Sequence, residues 1–431
     1  MPLPSLIEIV PLTQPVRAEI TVPGSKSVTN RALVLAALAS GKVTLEGALW
    51  SEDTQVMVEG LQALGFNVEV APDPSESCNR LIRVQGLDGM IPNGGTREHP
   101  LELFVGNAGT VARFLAVLVC LGQGVYRLHG VPRMHERPQA ALFQALRELG
   151  YCIDSTNDRL PALIHGVGPR KGTCCVSIGE SSQFASALLL GARLGRWQIL
   201  VVGDNAEESP YVAMTNQMIA VFPNRGGNFR IEPDASSGSY FWAAGALLAG
   251  QPLPPSPAAL PVRIARWPDS DWQIDARFPS FLPLPERLSR WHQLGDSIMT
   301  AMVLAPFGGR STHFTDLGRL RVQECERVKA MRTELTKCGA RVNERNDTLE
   351  IFPSELHGAE IETYNDHRLA MCFAILGLKV PGLKIKNPAC VKKTFPNFFQ
   401  KLAAPPPAGL GATILDAATG RALSEAELFA E

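Results

Sequence analysis

Residues 23–31 combine a glycine-containing turn with hydroxyl side chains and two cations, and they run directly into the apolar pattern of residues 32–38. Backbone N–H groups at a helix N-terminus lack partners within the helix and point outward with the positive end of the helix dipole. Such a turn favours a phosphate or carboxylate ligand. It is not a Walker loop, because Lys26 follows Gly24 by only two residues. A capped helix start with Ser27 as N-cap explains the stretch equally well on its own.

Three other turns place small, hydroxyl or amide residues before apolar helical patterns: residues 103–113, 180–184 and 234–240. Serine N-caps alone explain any one of them, but four such turns in one chain are more than helix capping requires. A further basic turn at residues 133–138 has a solvated surface loop as its simpler interpretation. Together these turns favour anion binding over simple helix capping at residues 23–31.

A mixed-charge run leads into a predicted helix and contains Arg319, Glu324 and Arg327. Glu324 and Arg327 can share a helix face, which structurally is a modest ion pair. A carboxylate among arginines can also be held ionised or can carry a proton, depending on its burial. His367 follows Asp366 without a serine or cysteine elbow, which disfavours a hydrolase triad, and the spacing of the chain indicates no metal-ligand cluster.

These turns are positioned by a repeated element. An amphipathic helix ending in a glycine, followed by two strands, recurs at residues 58–68, 142–153 and 331–342. The glycines are Gly65, Gly150 and Gly339. The longer gap between the second and third copies predicts a further unit, with a degenerate candidate near residues 278–282. The repetition predicts a pseudo-symmetric α/β or α+β architecture, and a dinucleotide-binding fold is disfavoured because no GxGxxG follows a strand.

The size and composition of the chain limit its class. A length of 431 residues allows two or three domains. The net charge of −1 with 19% charged residues argues against a nucleic acid or a membrane surface as the main partner. Nine scattered cysteines without a CxxC pair predict reduced thiols. No secretory signal is visible, and we therefore expect a soluble cytoplasmic protein.

Taken in order, the motifs resemble those of the enolpyruvyl transferase family, in particular its members that act on shikimate 3-phosphate. The resemblance runs from about Pro15 to Leu402 and rests on eight stretches: PGSKSVTNR, LFVGNAGT, RMHERP, SSQF, PYVAMT, DASSGSYF, YNDHRLAMCF and KKTFPNFF. It implies two pseudo-symmetric domains, each of three βαβαββ units forming an inside-out α/β barrel, with the active site in the interdomain cleft. The implied domains are residues 25–234, and residues 1–24 with 235–431, including a tail at 403–431.

The resemblance also implies a reaction. Phosphoenolpyruvate is joined to the 5-hydroxyl of shikimate 3-phosphate with loss of phosphate, through a tetrahedral intermediate and without a metal or organic cofactor. Both substrates are polyanions, which would explain why a nearly neutral chain concentrates cations at a few turns. The implied partners are these two small molecules, and we expect a monomer.

Matching the motifs position by position assigns residues to three roles, again as the resemblance implies them. The catalytic residues are Lys26, Asp296 and Glu324. Phosphoenolpyruvate is held by Lys26, Asn107, Gly109, Arg137, Gln183, Arg327, Arg368 and Lys393. Shikimate 3-phosphate is held by Lys26, Ser27, Arg31, Ser181, Ser182, Gln183, Tyr211, Asp296, Arg319 and Gln323.

The chain departs from the family pattern at several of these places. Gln323 stands where a lysine is usual, Arg319 where an asparagine is usual, and Glu208 where a serine is usual, although Ser209 could take that role. Phe114 replaces a common proline behind the glycine-rich turn. A guanidinium at Arg319 can compensate for a lost cation by binding phosphate through two bonds. Two alternatives follow: a transferase acting on a different alcohol, or a catalytically silent ligand-binding paralogue.

Overall fold

The computed structural model describes residues 3–203, 209–250 and 256–430, so the expectation about Glu208 lies outside the described residues. The strands in chain order are β1 Leu6–Ile9, β2 Ala18–Ile20, β3 Lys42–Leu49, β4 Val68–Pro72, β5 Asn79–Gln85, β6 Leu101–Phe104, β7 Gln123–His129, β8 Cys152–Asp154, β9 Ala162–Val167, β10 Gly172–Ser177, β11 Trp197–Val202, β12 Gly227–Arg230, β13 Val262–Ile264, β14 Arg287–Ser289, β15 Thr312–Thr315, β16 Val342–Arg345, β17 Thr348–Ile351, β18 Glu360–Ile361, β19 Leu383–Lys386 and β20 Ile414–Asp416. The α-helices are α1 Lys26–Leu38, α2 Glu52–Ala63, α3 Gly109–Cys120, α4 Pro132–Glu136, α5 Ala140–Glu148, α6 Gln183–Gly195, α7 Pro210–Val221, α8 Ala235–Ala249, α9 Ile298–Leu304, α10 Arg327–Lys337, α11 His367–Gly377 and α12 Phe398–Ala403.

The chain divides into two compact units. Unit 1 comprises Met1–Pro23 and Pro233–Glu431, and unit 2 comprises Gly24–Glu232. Unit 2 is therefore a continuous segment inserted into the sequence of unit 1. Each unit has enough apolar residues to build its own core, as separate domains of about 200 residues can.

Unit 2 repeats one sheet pattern. Its four-stranded sheets have the orders β12-β3-β5-β4 and β6-β7-β9-β8. In each, the first two strands are parallel and the remaining two pairs are antiparallel. A parallel pair, β10 and β11, forms the third sheet. Parallel neighbours need a crossover connection, and buried helices supply it, as α3 does between β6 and β7.

Unit 1 follows the same pattern in the part of the chain that the structure describes. Its four-stranded sheets have the orders β14-β15-β17-β16 and β18-β19-β1-β20, with the parallel pair β2 and β13 as the third. Again each larger sheet has one parallel pair followed by two antiparallel pairs. The predicted pseudo-symmetric α/β architecture, with three related units in each domain, is confirmed.

The glycine-ended helices predicted from sequence are α2, α5 and α10. Gly65, Gly150 and Gly339 all have positive φ, at 92°, 86° and 92°. The residue after each glycine donates its backbone N–H to a carbonyl five residues earlier, at 3.0, 3.1 and 3.0 Å. This is the Schellman geometry, which ends a helix and turns the chain into the next strand.

The prediction of a degenerate copy near residues 278–282 is wrong. Ile274–Phe281 forms a 3-10 helix that contains Pro279, and it is followed by the short strand β14 rather than by a helix and two strands. The unit between the second and third copies is instead β10-α6-β11, after which α7 leads to β12 in the first sheet of unit 2. Its helix α6 ends at Arg196 in the left-handed conformation, so the glycine that marks the other copies is missing.

Several helices are apolar on all sides because they are enclosed by their own unit. Every residue of α3 and of α11 is buried. A helix without a polar face can expose only its ends, and the predicted anion-binding residues lie at those N-terminal ends. Among the described residues, none of the helices combines the length and apolarity required to cross a bilayer.

The C-terminal tail packs onto unit 1. Strand β20 pairs antiparallel with β1, and the backbone N–H of Ala430 donates to the carbonyl of Pro396 at 2.9 Å. Leu428 is fully buried in a 3-10 helix, Glu425–Leu428. The tail thus supplies the fourth strand of a sheet in unit 1.

Candidate active site

In unit 2, the turn before α1 brings Lys26 to a helix start. A Cβ on Gly24 would lie 2.0 Å from the carbonyl oxygen of Gly47, so only glycine allows this close backbone contact. Lys26 begins α1, and its Nζ lies 2.9 Å from a carboxylate oxygen of Asp53, which is itself 5% exposed. The lysine is therefore held in a defined position at the N-terminus of a buried helix.

A second group in unit 2 surrounds the glycine-rich turn before α3. Arg137 donates from Nη1 to the carbonyl of Asn107 at 2.9 Å. Arg113 donates to the carbonyl of Pro138 at 2.8 Å and to the amide oxygen of Gln183 at 3.3 Å. A Cβ on Gly109 would lie 2.2 Å from Arg113 and 2.6 Å from Arg137, so the glycine makes room for both guanidinium groups. We call Asn107, Gly109, Arg113, Arg137 and Gln183 the unit 2 arginine cluster.

Gln183 connects this cluster to the third buried helix of unit 2. It begins α6, and its backbone N–H donates to the hydroxyl oxygen of Ser181 at 3.2 Å. Its side-chain nitrogen donates to the hydroxyl of Thr110 at 3.1 Å, on α3. The N-termini of α3 and α6 therefore lie side by side. Ser182, in the turn before α6, is buried.

Arg31 lies inside unit 2. It is 2% exposed and donates to the hydroxyl of Thr215 at 2.7 Å, to the hydroxyl of Ser186 at 2.9 Å and to the carbonyl of Ser27 at 2.9 Å. Its guanidinium lies 5.4 Å from the ring centroid of Phe114. Burial lowers the pKa of Arg31 to about 10. Both hydroxyl groups also donate to the carbonyl of Tyr211, in the first turn of α7, at 3.2 Å from Ser186 and 2.7 Å from Thr215.

In unit 1, the predicted base Asp296 lies among three arginines. One carboxylate oxygen is 3.0 Å from Arg290, and the other is 3.0 Å from Arg368 and 3.9 Å from Arg327. Burial alone would raise the pKa of Asp296, but the charges of the three guanidinium groups outweigh burial and hold the pKa well below its usual range. Asp296 is therefore ionised and ion-paired.

A second carboxylate fixes the loop that carries Asp296. Asp275 is 4% exposed and accepts from the backbone N–H groups of Gly295 and Ser297 at 2.8 and 3.1 Å. It also accepts from the hydroxyl groups of Ser297 and Ser236 at 2.5 and 3.1 Å. Burial, followed by the charge of Asp296, raises the pKa of Asp275. Asp275 therefore holds the loop on both sides of Asp296, which limits the freedom of the Asp296 side chain.

Glu324 and Lys393 complete the group of charges. Glu324 lies 2.8 Å from Arg327 and 3.0 Å from Lys393, and its side chain is 11% exposed. Arg327 is 1% exposed and donates to both oxygens of Asp366, at 2.7 and 3.2 Å. Asp366 also caps α11 by accepting from the N–H of Arg368 at 2.9 Å. We call Arg290, Asp296, Glu324, Arg327, Asp366, Arg368 and Lys393 the unit 1 charge network.

Two departures from the family pattern lie beside this network. The side-chain oxygen of Gln323 accepts from Arg327, so Gln323 orients a network arginine. Arg319 belongs to a 3-10 helix, Gly318–Val322, and its guanidinium lies 5.8 Å from the ring centroid of Trp291. A guanidinium is able both to stack on an aromatic ring and to bind phosphate through two bonds.

The structure brings most of the unit 1 predictions into one network, namely Asp296, Gln323, Glu324, Arg327, Arg368 and Lys393. In unit 2 it joins Asn107, Gly109, Arg137 and Gln183, while Lys26 contacts Asp53. Sequence analysis missed Arg290, Asp275, Asp366 and Arg113. Arg113 lies within residues 103–113, which the sequence indicated as an anion-binding turn, and it could have been predicted as a site residue. Nothing in the sequence around Arg290 or Asp275 indicates their role, because each contacts the loop of Asp296, which lies later in the chain and reaches them only in the folded structure.

Comparisons with known proteins show which family the chain resembles. The family model described as EPSP synthase (3-phosphoshikimate 1-carboxyvinyltransferase) matches residues 10–224 and 284–402. The chain is 38% identical to a 3-phosphoshikimate 1-carboxyvinyltransferase of Opitutus terrae over 94% of this chain and 98% of that protein. It is 34% identical to the protein of that name in Nostoc punctiforme over 92% of this chain and 98% of that protein.

Solved structures show a similar fold. An EPSP synthase from Acinetobacter baumannii matches with a TM-score of 0.72 and 19% identity over 95% of this chain and 99% of that chain. The enolpyruvyl transferase NikO from Streptomyces tendae matches with a TM-score of 0.67 and 17% identity over 96% of this chain and 99% of that chain.

Proposed function

The chain belongs to the EPSP synthase (3-phosphoshikimate 1-carboxyvinyltransferase) family, and we propose on that basis that it transfers the enolpyruvyl group of phosphoenolpyruvate to the 5-hydroxyl of shikimate 3-phosphate. The reaction releases phosphate and serves aromatic amino-acid biosynthesis. The observation that carries the proposal is the unit 1 charge network, in which a carboxylate, Asp296, lies against arginines that can bind an anionic substrate. We further propose that the protein acts in the cytoplasm as a monomer.

The chemistry needs a base, an acid and anion-binding groups. The 5-hydroxyl oxygen forms a bond to C2 of phosphoenolpyruvate while its proton goes to Asp296. The methylene carbon gains a proton to become a methyl group, which gives a tetrahedral intermediate. Loss of a methyl proton and departure of phosphate then leave the enol ether. We assign the two proton transfers at this carbon to Lys26 and Glu324. Preorganised cations would stabilise the charge that develops on the phosphate oxygens.

The ion pairs of Asp296 must weaken before this carboxylate can act as the base. Its pKa is too low for an effective base while three arginines surround it. We propose that the carboxylate and phosphate of phosphoenolpyruvate engage Arg327 and Arg368, which lessens their hold on Asp296. The proton affinity of Asp296 then rises when both substrates are bound. Arg290 stays paired with Asp296 at 3.0 Å and keeps the carboxylate in position.

The assignments for shikimate 3-phosphate remain those of the family pattern. In unit 2 they are Lys26, Ser27, Arg31, Ser181, Ser182, Gln183 and Tyr211, and in unit 1 they are Asp296, Arg319 and Gln323. Arg31 is buried behind Ser27, so we propose that it orders the backbone of this turn and contacts substrate through it. Arg319 would supply the cation that Gln323 lacks. Isothermal titration with shikimate 3-phosphate tests this pocket, and the absence of binding at millimolar ligand would refute it.

The function is tested by phosphate release from phosphoenolpyruvate in the presence of candidate alcohols. Shikimate 3-phosphate should support turnover, and the product should carry the enol ether at the 5-oxygen. Turnover with a nucleotide sugar or with unphosphorylated shikimate alone would favour a transferase of different specificity. A folded protein that binds ligand but releases no phosphate with any alcohol would be a silent paralogue. Asp296→Asn serves as the control for background hydrolysis.

A further inference from the structure

A group of three metal-ligand side chains lies at the sheet edge of unit 2, away from the arginine cluster. Cys152 and Asp154 lie on β8, and His165 lies on the neighbouring strand β9. The thiol sulfur, a carboxylate oxygen and an imidazole nitrogen all lie within 4.8 Å of one another. Sequence spacing indicated no metal-ligand cluster. That prediction overlooked this group because its members are brought together by strand pairing rather than by a short motif.

Strand register explains why the three side chains meet. Cys152 is directly opposite His165 in the antiparallel pair of β8 and β9. Asp154 is two residues further along β8, so it projects from the same face as Cys152. Ile153 between them is buried, whereas Cys152 and Asp154 are exposed. The strands therefore place a thiol, a carboxylate and an imidazole on the same solvent-facing side of the sheet.

The distances are close to those of a tetrahedral ion. Bonds of about 2.0–2.3 Å to sulfur, nitrogen and oxygen place neighbouring ligand atoms roughly 3.3–3.8 Å apart. Here Cys152 Sγ lies 3.7 Å from Asp154 Oδ1, and His165 Nε2 lies 2.9 Å from Asp154 Oδ2. An ion would replace the proton now shared by the imidazole and the carboxylate, so rotations of the side chains suffice to admit it.

The charges around Cys152, Asp154 and His165 allow a cation to bind. Asp154 brings a carboxylate to this group, 2.9 Å from the imidazole of His165. Arg147 and Arg97 are the nearby cations that act on this group. Arg147 lies 2.8 Å from a carboxylate oxygen of Asp158, which offsets much of its charge. None of the three ligands is assigned to a substrate.

We propose that Cys152, Asp154 and His165 bind a divalent cation that favours thiolate and imidazole ligands, such as Zn²⁺, with water as the fourth ligand. The ion would join the three-residue edge strand β8 to β9. Because β8 has a neighbour on one side only, a bridge to β9 would hold the end of the sheet in place. The site is independent of the proposed transferase reaction.

Cobalt titration of the reduced full-length protein tests this site. Co²⁺ should bind with a stoichiometry of one and give a thiolate-to-cobalt charge-transfer band in the near ultraviolet, and Zn²⁺ should displace it. Cys152→Ser should abolish the band, and His165→Gln should weaken Co²⁺ binding at least tenfold. Cys175→Ser is the matched control, since Cys175 is another exposed thiol of unit 2, on β10, and should leave the band unchanged.

Circular dichroism of the metal-free variants keeps the test interpretable, because all three side chains project from the sheet surface and their replacement should preserve the fold. The site is refuted if the wild-type protein shows no charge-transfer band. It is equally refuted if the band persists in a folded Cys152→Ser variant or disappears in Cys175→Ser. Phosphate-release activity of Cys152→Ser should equal that of the wild type.

Discussion

Replacing Gly109 by alanine should selectively weaken phosphoenolpyruvate binding. The added Cβ would lie 2.2 Å from Arg113 Nη1 and 2.6 Å from Arg137 Nη2. Ordinary carbon contacts need about 3.5 Å, so each guanidinium must withdraw by roughly 1 Å. Neither can do so freely, because Arg113 is 2% exposed and Arg137 is 8% exposed. Both are also tied to backbone carbonyls, at 2.8 and 2.9 Å.

The size of the effect follows from the displacement. A misplacement of about 1 Å at a binding group can cost on the order of a hundredfold, and a lost hydrogen bond to a charged group costs about 1.5–3 kcal/mol. We therefore expect KM for phosphoenolpyruvate to rise about 10- to 100-fold. KM for shikimate 3-phosphate should change much less, because the two sets of proposed contacts share only Lys26 and Gln183, and of these only Gln183 belongs to the unit 2 arginine cluster.

The assay is phosphate release at saturating shikimate 3-phosphate with varied phosphoenolpyruvate. Gly179→Ala is the matched control, since a Cβ there would meet Ser177 Oγ at 3.5 Å, an ordinary contact. A folded Gly109→Ala variant whose KM for phosphoenolpyruvate equals that of the wild type would refute the role given to Arg137. So would an equal loss for both substrates, which would indicate general damage to unit 2.

Three further predictions concern unit 1. Arg290→Met should raise the pKa of Asp296 in the substrate complex, because a neighbouring positive charge is lost, and the acid limb of the pH profile of kcat should move upward by about 1–3 pH units. An unchanged pH profile would argue against Asp296 as the base. Asp366→Ala leaves Arg327 buried without its bidentate partner and should lower the free energy of unfolding by about 3–5 kcal/mol, measured with urea; an unchanged midpoint would contradict this. Removing residues 404–431 exposes the edge of β1 and should lower Tm by several degrees, since burial of each large apolar side chain stabilises by about 1.5–3 kcal/mol. An unaltered Tm would mean that the tail adds nothing to the core.

The repeated units could be predicted from local chemistry. A C′ glycine must adopt positive φ to end a helix, and Gly65, Gly150 and Gly339 all do so. Where the helix ends without glycine, as α6 does at Arg196, the repeat was missed. The false copy near residues 278–282 arose because apolar periodicity does not distinguish a 3-10 helix with an internal proline from the start of an amphipathic helix.

The site could be predicted only in part. The predicted helix N-terminus at residues 23–31 and the mixed-charge run pointed to Lys26, Glu324 and Arg327, because such features are encoded within a few neighbouring residues. The buried partners Asp275 and Arg290 act across loops, and their importance depends on burial and on the register of distant elements. The same holds for Cys152 and His165, whose contact depends on the pairing of two strands. Long-range pairing of this kind is not encoded in linear spacing.

The family pattern assigns phosphoenolpyruvate contacts to Lys26 of unit 2 and to Lys393 of unit 1, and we propose that each of them contributes to binding of this substrate. The most direct measurement is isothermal titration of phosphoenolpyruvate in the presence of shikimate 3-phosphate, with Asp296→Asn as the non-reactive background. Lys26→Met in unit 2 and Lys393→Met in unit 1 should each weaken binding about 10- to 100-fold, as expected for a lost charge-assisted hydrogen bond. If either folded variant binds phosphoenolpyruvate as tightly as the background protein, the cations of that unit do not hold this substrate and the account is wrong.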